Sequence, residues 1–307
     1  MKTSKLLPVK VITLTVVWLI MTQPAIAQEI TFTFHPPDSI TYLQTVTTTK
    51  KTDMGQMGRR DEVMEAEVRV TIMQTGDGYH LIFTPLSMSA TRNGQKMDDP
   101  MLALFQNIVV GYQLDKDGNL VGISGYEKLM DVMKQLVPAE MIEKLSSVLN
   151  EETLKNRDAA EWNGQIGKFI GQTISLGDSW ASVDSFPLPS GESITFYSVT
   201  RFPEQVKCGE HDCVKISFDY NSDISTLSAI VNQTVEKLMG QPADSLPATS
   251  SAGNIVGSGE RIIDPATMLI QSEYVERTLT TKMTIPGQGD IDLTQTERRE
   301  YKFDYSY

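Results

Sequence analysis

The sequence predicts an α+β fold: a large antiparallel, curved sheet, half-barrel-like, with amphipathic helices packed against it. Most of the chain beyond residue 28 alternates apolar and polar residues with period two between turn signals. That pattern gives way to sustained helical spacing near residues 124–163 and 225–240. With 40% apolar residues the chain is globular rather than disordered.

The opening stretch, MKTSKLLPVKVITLTVVWLIMTQPAIAQ, sets Lys2, Lys5 and Lys10 ahead of an apolar run from Val11 to Met21 and closes on Ala25-Ile26-Ala27. This is the layout of a signal peptide, residues 1–27, cut after Ala27. The apolar run is far shorter than the roughly twenty residues of a spanning helix, which is the alternative reading. No cysteine stands at the cut to take a lipid, and no later apolar stretch is long enough to span a bilayer. The expectation is a periplasmic or secreted chain, residues 28–307, folding as a single β-rich domain with no membrane span.

Loss of Lys2, Lys5 and Lys10 leaves 24 basic against 39 acidic residues, a net charge near −15. Such a surface repels nucleic acid and anionic lipid surfaces alike.

After Glu29 the sequence reads as strands. ITFTFHPPDSITYLQTVTTTKK and AEVRVTIMQTGDGYHLIFTPLSMSATRNG are rich in β-branched residues, and TGDGY is the turn between two runs. Asp99 and Pro100 begin a short helix. DKDGN then turns a hairpin in which Asp115, Asp117 and Asn119 lack the spacing of a calcium loop. A helix is expected from Ser124, with Glu127 reaching back in a capping box and Leu129, Met133 and Leu136 on one face. A second opens at Pro138 and carries Met141, Ile142, Leu145, Val148 and Leu149. NEETLKNRDAAEWNG is a weaker third helix, with Glu151 and Glu152 favouring the positive end of its dipole. GQTISLGDSW returns to strand.

KCGEHDCVKISFDY holds the only two cysteines, Cys208 and Cys213, around a hairpin tip flanked by the alternating runs ITFYSVTRF and VKISFDY. In an exported chain they form a disulfide. A zinc site would need a ligand beyond Cys208, His211 and Cys213, and a redox pair would need Cys-x-x-Cys spacing. Closing so short a loop contributes on the order of 2 kcal/mol, so the bridge pins a turn.

The cleanest apolar stripe comes next: Leu227, Ile230, Val231, Val235, Leu238 and Met239, stopped by Gly240 and Pro242 and followed by the linker QPADSLPATSSAGN. These residues either cover one sheet face or form a lid that faces a ligand cavity. The chain closes on strands. TLTTKMTIPGQG, from Thr278, echoes TVTTTKKTDMGQMG, from Thr45, as two long hairpins of similar design. Tyr301, Phe303, Tyr305 and Tyr307 give the last strand an aromatic face.

The Gly-x-Ser-x-Gly motif of hydrolases, phosphate-binding loops, dinucleotide fingerprints and His-Glu-x-x-His are absent, so no catalytic residue, metal ligand or cofactor is assigned. Met54 and Met57 have a spacing that suits Cu(I), yet methionines in such chains are ordinarily filler on apolar faces.

The leader, the Thr/Met-rich opening strands, YQLDKDGNLVGISGYEKL, LGDSW and IDPATMLIQSEYVERTLTTKMTI together resemble a family of exported bacterial β-rich proteins of unknown function. By remoter analogy such a fold is similar to the half-barrels that carry bacterial lipoproteins. The expectation is an exported, non-catalytic protein that binds a lipophilic ligand or an envelope protein. The alternatives are a structural or assembly partner in the cell envelope and, third, an unrecognised hydrolase.

Overall fold

The computed structural model describes residues 29–98, 100–136, 150–187, 193–222, 249–285 and 289–306. The stripe Leu227–Met239 and the helix expected after Pro138 lie outside these residues.

Two meanders build the sheet. The first runs through β2 (Ser39–Asp53), β3 (Arg59–Thr75), β4 (Gly78–Arg92), β5 (Gln95–Lys96), β6 (Val110–Leu114) and β7 (Leu120–Ser124). The second runs through β9 (Ser179–Pro187), β10 (Ser193–Cys208), β11 (His211–Ser222), β12 (Thr249–Ile263), β13 (Ile270–Ile285) and β14 (Gly289–Asp304). All pairs are antiparallel, and β14 pairs with β2 to fuse the meanders into one twelve-stranded sheet that is not closed. Its outer strands are β7 and β9. The two long hairpins anticipated from their threonine-rich arms, β2–β3 and β13–β14, stand side by side across this junction. A separate pair is formed by β1 (Glu29–Thr31) and β8 (Thr173–Ser175).

The sheet curls around the start of the described chain. Ile30, Phe32, Phe34 and Pro36 are buried while Thr31, Thr33 and His35 are exposed, so one face of an extended segment points inward. Phe32 packs on Phe202 of β10, with ring centroids 6.1 Å apart, and Phe34 packs on Tyr79 of β4 at 5.1 Å. In the sheet order β4 and β10 are the third and tenth strands. Seven inter-strand steps would separate them by about 34 Å in a flat sheet, whereas two residues of extended chain span only about 7 Å. The sheet must therefore bend until both strands reach one plug.

Among the described residues three helices accompany it: α1 (Pro100–Phe105), α2 (Glu127–Leu136) and α3 (Glu151–Gln165). Asn150 caps α3 by accepting the Thr153 N–H at 2.8 Å, and Glu151 and Glu152 occupy its first turn as expected. Leu154, Asp158 and Trp162 form its buried stripe at four-residue spacing. Because α3 lies on the connection from β7 to β9, it rests against both edge strands and bridges the opening of the sheet.

The expected cap at Ser124 is corrected. Ser124 is the last residue of β7 and its hydroxyl turns to the Gly111 carbonyl at 3.4 Å. The helix starts at Glu127, whose carboxylate accepts the Gly125 N–H at 2.7 Å. A strand residue paired with β6 cannot also present its hydroxyl to the next turn.

Cys208 and Cys213 are bonded at the tip of the β10–β11 hairpin, with Cα atoms 5.8 Å apart. Asp115 turns the β6–β7 hairpin by accepting the N–H groups of Asp117 and Asn119 at 3.0 and 2.8 Å. The aromatic face of the last strand is buried in part, with Phe303 and Tyr305 against Tyr42.

Candidate binding cavity

The plugged end of the sheet is aromatic and the opposite end is charged, and the change is written along four adjacent strands. On their shared concave face β2 passes from Tyr42 through Gln44 and Thr48 to Lys50. In the same direction β3 passes from Ile72 through Val68 and Met64 to Glu62 and Arg60. On β4 the series is Leu81, Phe83, Ala90, Arg92, and on β14 it is Phe303, Tyr301, Arg299, Glu297. Side chains two apart share a face, and on β4 the register shift opposite Glu67 and Val68 changes the parity between Phe83 and Ala90, so each series occupies one side of the pleat.

A cavity of about 180 Å³ lies against the aromatic end. Tyr42, Ile72, Leu81, Phe83, Trp162 and Phe303 supply its apolar wall, while Glu161, Glu273 and Tyr301 supply polar groups. Trp162 is fixed between Phe34 and Tyr112, with centroids at 5.9 and 6.0 Å. Its buried indole nitrogen has no hydrogen-bond partner among the described residues. A second cavity, of about 340 Å³, follows at the charged end and is bordered by Lys50, Arg60, Glu62, Arg92, Glu297 and Arg299 among others.

An ion-pair row underlies the polar side of this trough. Arg261 of β12 donates to Glu273 of β13 through Nε and Nη2, at 3.1 and 2.7 Å, and through Nη1 to the Gln165 carbonyl at the end of α3. Glu297 accepts from Arg277 at 2.9 Å and Arg299 at 2.7 Å. Burial alone would raise the Glu297 carboxyl, but the two guanidiniums outweigh it and hold the group below the ordinary glutamate value of 4.5. Desolvation by the surrounding protein raises the Glu161 carboxyl above that value although the residue keeps solvent contact, with Arg299 opposing the shift. Burial, reinforced by Glu161, pushes the Tyr301 phenol up to about 12, so it stays a neutral hydrogen-bonding group throughout the neutral range.

Cys208 and Cys213 lie at the plugged end as a turn staple, away from the residues bordering both cavities. The expected lid residues Leu227, Ile230, Val231, Val235, Leu238 and Met239 fall outside the described residues. The segment that holds them connects β11 to β12, which pair with each other and end at the charged side of the trough.

Sequence reading missed Tyr42, Glu161, Trp162 and Glu273 as cavity residues, and Arg261 as the buried partner of Glu273. A signal existed for Arg261. It shares the face of Ile255, Gly257, Gly259 and Ile263, where a lone charge among small and apolar residues asks for a buried partner.

No family model matches the chain, and no curated protein matches it; the resemblance to an exported β-rich family rests on sequence motifs alone. Among solved structures, the chain is similar to one of lipovitellin determined for its lipid–protein interactions, at 9% identity and a TM-score of 0.44 over 88% of this chain. It spans only 25% of that chain's length. It is also similar to OccK11 (OpdR) of Pseudomonas aeruginosa, at 9% identity and a TM-score of 0.25, covering 90% of this chain and 98% of that one. Neither likeness bears on function.

Proposed function

We propose that this chain is an exported, non-catalytic binding protein for a lipophilic molecule, which it holds in the concave trough. The observation that carries the reading is the cavity walled, among the described residues, by Tyr42, Ile72, Leu81, Phe83, Trp162 and Phe303. An interior built for stability alone packs to near crystal density, whereas a ligand site keeps apolar wall and a few polar groups around open space. The Cys208–Cys213 bridge supports residence in an oxidising compartment. Among the described residues no helix is long and apolar enough to cross a membrane.

The test is solvent extraction and mass spectrometry of protein taken from its exporting host, followed by titration of the stripped protein with a fluorescent fatty acid. A retained lipophile, or saturable binding of about one equivalent, is the expected outcome. Empty protein that also fails to bind the probe would overturn the reading.

A second reading, a structural or assembly partner in the envelope, draws on the convex face. There Val183, Tyr197 and Val256 are exposed, with Val183 directly opposite Tyr197 and Asn221 linking Tyr197 to Val256 across the strands. Crosslinking in intact cells through a photoreactive residue at position 197 tests it; the absence of any specific adduct there would remove it.

A further inference from the structure

We infer that the charged end of the trough is a headgroup site, in which Lys50, Arg60, Arg92 and Arg299 hold the oxyanion of a single-chain amphiphile whose tail runs onto the aromatic floor. The inference deepens the proposed function and rests on it.

Three observations meet here. The first is the balance of charge. The chain as a whole has 39 acidic and 27 basic residues, yet among the described residues four cations and two carboxylates, Glu62 and Glu297, border this cavity. An excess of positive charge in an acidic protein is a local arrangement, and it would draw an anion towards this end of the trough rather than to the surface at large.

The second is the geometry around Glu62. Its Oε1 accepts from Arg60 and, at 3.0 Å, from Arg92 Nε, while its Oε2 lies 4.0 Å from Lys50. One carboxylate thus gathers three cations drawn from three neighbouring strands. Glu62 orders them but neutralises one charge, and guanidiniums retain further N–H donors in a planar fork that matches a carboxylate or phosphate. Arg60 and Arg92 remain about two-fifths exposed, so an incoming anion reaches them without unfolding the cluster.

The third is the position of the cluster relative to apolar surface. Val63, Met64, Ala90, Met97 and Leu102 border the same cavity as the cations. Along β2, Lys50 stands eight residues from Tyr42 on the same face, roughly 26 Å at the strand rise. Polar head and apolar tail therefore find their surfaces in one continuous direction, which a free inorganic anion would not require.

The experiment compares stripped full-length protein binding three probes with identical acyl chains: a fatty acid, a lysophosphatidic acid and a neutral monoacylglycerol. Inorganic phosphate is the tailless control. At low salt the anionic probes should bind at least about tenfold more tightly than the neutral one, because charge-assisted forks add well over 1 kcal/mol. Raising the salt should narrow the gap, and Arg60→Gln with Arg92→Gln should bring the anionic probes down to the affinity that the same variant shows for the monoacylglycerol. Arg92→Lys, which keeps the charge, should retain part of the preference, and the headgroup and salt comparison on unaltered protein needs no variant. Equal binding of all three lipids would overturn the headgroup site and leave the lipophile reading standing. Phosphate binding as tightly as lysophosphatidic acid would overturn the amphiphile. Failure of every lipid probe would overturn the proposed function itself.

Discussion

Arg261 and Glu273 face each other in register on β12 and β13 as a doubly bonded pair whose side chains are 4% and 2% exposed. The pair is tied to α3 through the Gln165 carbonyl, so one guanidinium links the sheet to the helix that bridges its edges. Removing one partner strands a buried charge. Glu273→Gln should lower stability by about 3–5 kcal/mol, read as a shift in the urea midpoint, while Arg261→Met with Glu273→Leu should recover most of the loss. A single variant as stable as the parent would show that the pair is solvated.

The plug makes a separate demand. Phe32 is fully buried and touches Phe169 and Phe202. Phe32→Ala should lose about 3–5 kcal/mol by the same measurement. Thr31→Ala, one residue away on the exposed side, should stay within about 0.5 kcal/mol.

Glu297 predicts a pH dependence. Its carboxyl is held below the ordinary value by Arg299 and Arg277 against the effect of burial, so the folded chain gives up this proton more readily than the unfolded chain. The contribution is complete above the ordinary value of 4.5 and is lost as pH falls through the lowered one. Glu297→Gln should destabilise by roughly 1–3 kcal/mol near neutrality, and the difference from the parent should shrink on acidification. A difference that grew at low pH would reverse the assignment.

Gly257 and Gly259 lie beneath the rings of Tyr220 and Phe218 on the neighbouring strand. A Cβ at position 257 would run first into the Tyr220 side chain, whereas one at 259 would run into both the Phe218 ring and the backbone carbonyl of Tyr274, which cannot rotate away. Gly259→Ala should therefore lower the melting temperature more than Gly257→Ala. The opposite order would mean that the Tyr220 ring is the more rigid of the two obstacles.

The bridge between Cys208 and Cys213 closes a loop of few residues. Replacing both by alanine should cost about 2 kcal/mol in the chain-entropy picture and leave the circular dichroism spectrum of the sheet intact. Loss of the sheet signal would make the bridge a requirement of the fold rather than a pin on one turn.

What the sequence determined by itself was local. Period-two runs marked the strands, TGDGY and DKDGN their turns, the cysteine spacing its hairpin staple, and Glu151 with Glu152 the start of α3, because each follows from contacts within a few residues. Tertiary structure decided which strands became neighbours, above all the β14–β2 pairing that joins the two ends of the chain. It also decided the curvature that lets Phe32 and Phe34 serve opposite halves of one sheet. The cavity belongs to that second class. Tyr42, Glu161, Glu273 and Tyr301 are far apart in the chain, and only the curling of the open sheet around its plug brings an aromatic floor and a cationic rim onto one concave face.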